Sequence, residues 1–138
     1  MKRVILDTNF LMIPSIFKVD IFSEIKRIFY EKYQLFIIDK TIDELNKIID
    51  EQKGKHKDAA KMGLQFIKKM DIKTIKSKTN INVDNTLIEI TGENDVVATQ
   101  DKALKDKLLD KGVGIIVLRK KKYLNMIEVW IFENVLCD

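Results

Sequence analysis

One cysteine, one histidine and one proline are all that the 138 residues contain of those types. Cys137 has no partner for an intramolecular disulfide, and together with His56 it supplies too few sulfur and nitrogen ligands for a zinc centre. A reducing, cytoplasmic setting fits that usage. Glycine is also sparse, at five residues, which with the single proline excludes collagen-like and low-complexity classes. Apolar runs are short: Gly114–Leu118 and Leu35–Ile38 fall far below the roughly 20 residues of a membrane span, so no membrane partner is expected. Asp7 interrupts the N-terminal apolar run too early for a secretory signal. Arginine is limited to Arg3, Arg27 and Arg119, yet abundant lysine leaves a net charge of +4, which suits a polyanionic partner without requiring one. With 46% apolar and 33% charged residues, the chain is expected to fold as one domain over residues 1–138.

What is present is an alternation of two periods. Val4–Leu6, Leu35–Ile38, Val96–Ala98 and Ile115–Leu118 are continuous apolar runs, the pattern of strands covered on both faces of a parallel sheet. Between them, helical spacing connects Ile21, Ile25, Ile28 and Phe29, then Ile42, Leu45, Ile48 and Ile49, then Ala59 through Ile67, then Leu87, Ile88 and Thr91, then Leu104, Leu108 and Leu109. Strands alternating with helices predict an α/β fold, a three-layer α/β/α sandwich with a central, mostly parallel sheet. Ile72–Ile75 is a candidate further strand. Tyr123–Leu136 is apolar and compatible with either strand or helix.

In a parallel sheet all strand C-termini share one edge, where ligands bind. Asp7-Thr8-Asn9 follows the first run, Asp39 with Thr41 and Glu44 the second, and Thr99-Gln100-Asp101 the third, while Asp84 opens a helix leading back to that edge. Carboxylates gathered there repel one another, and a hard divalent cation, magnesium or manganese, is the usual means of holding them. Each has a structural alternative. Thr41 and Glu44 have the spacing of a capping box, with Thr41 as N-cap; Asp84 and Asp101 are candidate N-caps; Asp7 is a candidate for a local Asx-turn.

Val4-Ile-Leu-Asp7-Thr-Asn9-Phe-Leu resembles the opening of PIN-domain nucleases, Thr41-Ile-Asp-Glu44-Leu their second acidic motif, and Val97-Ala-Thr99-Gln-Asp101-Lys-Ala-Leu their closing motif. Order and spacing agree along essentially the whole chain. The stretch from Pro14, the segment Asp101–Lys105 and Arg119–Tyr123 are more similar to the branch containing the eukaryotic small-subunit rRNA-processing endonuclease than to most VapC toxins. The resemblance implies an endoribonuclease whose acidic cluster is Asp7, Glu44, Asp84 and Asp101, with Asn9 and Thr99 as polar neighbours and one or two magnesium or manganese ions as cofactor. Asp84-Asn85 stands where that branch carries two adjacent aspartates, which leaves the number of ions open. Asp39, Asp43 and Asp95 match no motif and are read as solvated or capping charges.

Phosphodiester hydrolysis needs an activated water and neutralisation of developing charge, which ions roughly 3.5 to 4 Å apart can supply. In this reading Asp7 is the central ligand, Glu44 and Asp84 complete the site, and Asp101 binds directly or through water. A basic rim is expected around it: Lys102 and Lys105, with Lys107 and Lys111, on the helix after Asp101, and Arg119, Lys120, Lys121 and Lys122 after the last clear strand. The implied partner is RNA, single-stranded or structured rRNA. Three other readings stand beside it: a non-catalytic RNA-binding scaffold, a toxin ribonuclease with an antitoxin partner in place of a ribosome-assembly factor, and a phosphatase of the haloacid dehalogenase type. The last wants a second aspartate two residues after the first, where this chain has Asn9. Ile127, Trp130 and Leu136 suggest a homodimer interface.

Overall fold

A computed structural model describes residues 1–78 and 80–128. β1 (Lys2–Leu6) leads into a 3-10 helix (Thr8–Met12), α1 (Ile13–Phe17) and α2 (Ile21–Ile28). β2 (Tyr33–Ile38) is followed by α3 (Asp39–Glu51) and α4 (Lys55–Lys69), and β3 (Lys73–Ile75) by α5 (Val83–Ile90). β4 (Asp95–Ala98), α6 (Lys102–Asp110), β5 (Gly114–Arg119) and β6 (Tyr123–Ile127) complete the described chain. The strands form one sheet in the order β3-β2-β1-β4-β5-β6, with β1 to β5 parallel and β6 antiparallel to β5. Ile72–Ile75 thus supplies a strand, and Tyr123–Ile127 is strand rather than helix. Trp130, Phe132, Leu136 and the rest of the tail lie outside the described residues.

Alternation along each strand sends side chains to two cores. On one face Val4, Leu6, Leu35, Ile37, Val96 and Ala98 pack with Leu11 of the 3-10 helix, Ile21 and Ile25 of α2, Leu45 of α3 and Ala59 and Ala60 of α4. On the other, Ile5, Ile38, Val97, Ile115 and Val117 meet Val83 and Leu87 of α5 and Leu104 and Leu108 of α6. The result is the expected three-layer sandwich. Two buried cores explain why the strands are apolar without interruption.

The order reverses between β1 and β4: chain segments after β1 build outward through β2 and β3, then cross to β4 on the opposite side. Loops leaving neighbouring strands in opposite directions open a crevice at that switch point. Asp7 leaves β1 there and Thr99 leaves β4, and the Asp7 N–H donates to the Ala98 carbonyl at 3.0 Å. At Gly63 α4 packs closely on the 3-10 helix behind this region, where a Cβ would stand at ordinary contact distance, 3.4 Å, from both Cβ and the carbonyl oxygen of Leu11. No helix among the described residues is long and apolar enough to cross a membrane.

Candidate active site

Asp7 is 6% exposed, and both of its carboxylate oxygens are engaged. One accepts from the Thr8 N–H at 2.8 Å, capping the 3-10 helix, and the other from the Thr99 hydroxyl at 2.8 Å. Thr99, fully buried, also accepts from the Asp101 N–H at 3.1 Å, so one hydroxyl connects the ends of β1 and β4. Burial pushes the Asp7 carboxyl up; the Thr99 and Thr8 hydrogen bonds oppose this, the negative charges of Asp84 and Glu44 add to it, and its pKa stands at about 6.

Glu44 projects from the second turn of α3 and accepts from the Thr8 hydroxyl, whose oxygen lies 3.4 Å from that of Thr41. Asp101 caps α6 by accepting from the Leu104 N–H at 3.1 Å. Asp84 is the second residue of α5, where burial, then the charge of Asp101, raise its pKa against the opposing pull of Lys107. Asp7, Asn9, Glu44, Asp84 and Asp101 line one cleft of about 440 Å³. Among the described residues no three Asp, Glu, His or Cys side chains stand close enough together to hold a metal ion as they are. The donor set is nevertheless all hard oxygen, and burial and neighbouring carboxylates raise the pKa values of Asp7 and Asp84, which fits a hard divalent cation and neither zinc thiolate nor imidazole chemistry.

A family description reading "PIN like domain" matches residues 4–121. The chain belongs to the PIN-like domain family. Ribonuclease VapC4 of Methanocaldococcus jannaschii is 32% identical over 130 residues, covering 91% of this chain and 97% of that protein. The solved PIN domain of the endonuclease Utp24 superposes with a TM-score of 0.73 at 21% identity, covering 92% of each chain, and bears on the fold alone.

Within this PIN-like domain several local expectations are corrected. Thr41 is not an N-cap: α3 begins at Asp39, directly after β2, so Thr41 is a buried interior residue facing Thr8, and the capping-box reading fails. Asp84 is not the cap of α5 either, because Asn82 accepts from the Asn85 N–H at 2.8 Å. Asp39 is not merely solvated. Its carboxylate accepts from the Ser77 hydroxyl at 2.6 Å and from the Ser77 and Lys40 N–H groups, and the Ser77 hydroxyl chiefly holds its pKa below the carboxylate range. The Lys40 ammonium donates to the carbonyls of Lys78 and Ile81, so this pair clamps the segment that delivers Asp84. Asp95 is likewise buried and paired with Arg3 at 2.8 Å, on the opposite edge of the sheet; burial alone would raise its pKa, but Arg3 and the Gly92 N–H outweigh it. Asp43 is exposed, as expected.

Lys47 and Glu51 also line the cleft, a contribution that no sequence motif marks. Their only signal is spacing of three and seven from Glu44, which places them along one helical stripe. Lys107, expected as rim, acts on Asp84, and Lys111 donates to the Ile88 carbonyl. Lys102 is exposed and lies 3.9 Å from Asp106; Lys105 is half-buried.

The Thr99 bridge yields a direct expectation. Thr99→Val removes a donor to Asp7 and an acceptor for the Asp101 N–H, and should lower stability by about 1–3 kcal/mol. The loss should be larger at pH 8 than at pH 5, because an ionised carboxylate accepts the stronger bond. Thr99→Ser should recover most of it in urea titrations. A Thr99→Val protein as stable as the parent at both pH values would disprove the bridge.

Proposed function

We propose that this single PIN domain is a metal-dependent endoribonuclease that hydrolyses RNA phosphodiesters in the cleft at the ends of β1 and β4. The observation that carries this reading is that Asp7, Glu44, Asp84 and Asp101, from four separate segments, line one cleft at the switch point of the sheet. Those four residues would hold magnesium or manganese, as one or two ions. Such an ion supplies Lewis acidity toward a phosphate oxygen and the attacking water. The chain's own part is positioning. Thr99 and Thr8 hold Asp7, the Thr8 hydroxyl holds Glu44, and the helix cap holds Asp101. Asn9 and Lys47 line the same cleft and would bind phosphate oxygens. His56 is exposed in the first turn of α4, outside the cleft, which leaves no imidazole base beside these carboxylates.

The likeness to a VapC ribonuclease supports an RNA substrate and keeps a toxin role, with an antitoxin partner, beside rRNA processing. A cytoplasmic setting fits this reading, and a neighbouring antitoxin-like reading frame would favour the toxin role. Purified protein should cut single-stranded RNA with magnesium or manganese and be inert in excess chelator. Cleavage that persists unchanged in EDTA would refute metal dependence, whereas metal binding without cleavage of any RNA would turn the assignment to the scaffold reading.

A further inference from the structure

Arg119–Lys122 form the tip of the β5–β6 hairpin, closed by the Lys122 N–H donating to the Arg119 carbonyl at 2.9 Å. Both central residues have positive φ, 53° at Lys120 and 56° at Lys121, as in a type I′ turn. That conformation favours Asn and Gly and disfavours residues with a longer side chain. This tip instead carries four consecutive exposed cations, and among the described residues none of them forms an ion pair. A turn that keeps mutually repelling lysines where Asn-Gly would fit better points to a use for the charge.

The tip is firmly rooted beside the cleft. At the base of the hairpin the Leu118 N–H donates to the Gln100 side chain at 2.7 Å, and Gln100 lies between Thr99 and Asp101. On the outer side, Arg27 of α2 donates to the Leu124 carbonyl at 2.9 Å and Glu24 accepts from the Leu124 N–H at 2.9 Å. The Lys121 ammonium lies 5.9 Å from the centre of the Phe17 ring, next to exposed Lys18. Of the lysines on and just after α6, Lys111 is engaged by the Ile88 carbonyl and Lys102 sits near Asp106.

We propose that the β5–β6 hairpin tip is a phosphate-gripping finger, which holds single-stranded RNA outside the cleft by its backbone and without regard to sequence. The proposal rests on the nuclease reading for the identity of the polyanion. Its test is equilibrium binding of labelled polyuridylate RNA in EDTA over a salt series, where cleavage does not intervene. The informative variant is Lys120→Asn/Lys121→Gly, because it installs the preferred turn residues and cannot be dismissed as misfolded. It should melt higher than the parent by roughly 4 °C. Its affinity at about 0.15 M salt should fall roughly tenfold, and the log–log salt slope should shrink by roughly 1.4, near 0.7 per lost phosphate contact. Lys32→Gln/Lys73→Gln removes the same charge at the opposite sheet edge and should leave the slope unchanged.

An unchanged slope in the hairpin variant, an equal reduction in the control, or no measurable binding by the parent would overturn the proposal. Displacement of RNA by polyglutamate at matched charge would overturn it too, assigning the tip to an acidic protein segment. Metal-dependent cleavage is scored separately on the parent. A slope difference without cleavage removes the nuclease reading and keeps the finger, and cleavage without a slope difference does the reverse.

Discussion

Asp7→Asn should lower RNA cleavage by about 10³-fold or more and, in EDTA, make the protein more stable than the parent at pH 8. The two effects have one origin. Asp7 is buried beside Asp84 and Glu44, and its pKa is lifted from 3.8 to about 6, so the folded state prefers the protonated form. Its stabilising contribution is therefore complete below about pH 4 and is lost as pH rises through about 6. At pH 8 the ionised carboxylate costs on the order of 3 kcal/mol, since each tenfold rise in proton affinity corresponds to about 1.4 kcal/mol. Asn resembles the protonated acid: its carbonyl can accept from the Thr8 N–H and its amide can donate to the Thr99 hydroxyl, at any pH. Urea titrations should show the variant ahead at pH 8 and the gap closing toward pH 4. A gap of constant size across that range would mean that like charge and burial do not act on Asp7 as described.

Manganese should raise the melting temperature of the parent far more than that of Asp7→Asn, Glu44→Gln, Asp84→Asn or Asp101→Asn. Binding to the folded state alone adds about 2.7 kcal/mol at a hundredfold excess over Kd, a shift of roughly 8 °C for a chain of this size. The substitutions are chosen to leave local structure alone. Asn caps a helix as well as Asp, so Asp101→Asn keeps the bond from the Leu104 N–H, and Gln at position 44 still accepts from Thr8. Asp84 is not a cap, so its replacement by Asn disturbs none. The parent's shift should also shrink below about pH 6, where protonation of Asp7 competes with the ion. Equal shifts in the parent and all four variants would place the metal elsewhere.

These expectations draw unequally on sequence and on tertiary structure. Val4–Leu6, Leu35–Ile38, Val96–Ala98 and Ile115–Leu118 were legible as strands, and the helices from α2 to α6 as helices, because side-chain period is a local property of the backbone. From that alone it followed that Asp7 and Thr99 end strands on a common edge. The start of α3 was not legible, since Thr41-x-x-Glu44 has the same spacing in a helix interior as at a cap, and only the extended backbone at Ile38, with ψ 143°, decides between them.

The sequence set Asp95 apart from Asp7 by motif and by strand end, but it did not show that Asp95 is buried and paired. One is neutralised by Arg3, 92 positions away; the other is left among carboxylates at the switch point. Membership of Lys47 in the cleft and the proton affinity of Asp7 are likewise set by which sequence-distant groups the strand order β3-β2-β1-β4-β5-β6 brings within a few ångströms. Local patterning determined the faces and ends of the elements. Charge and chemistry were decided only by the fold, because electrostatic energies depend on separation in space and on the water that burial excludes.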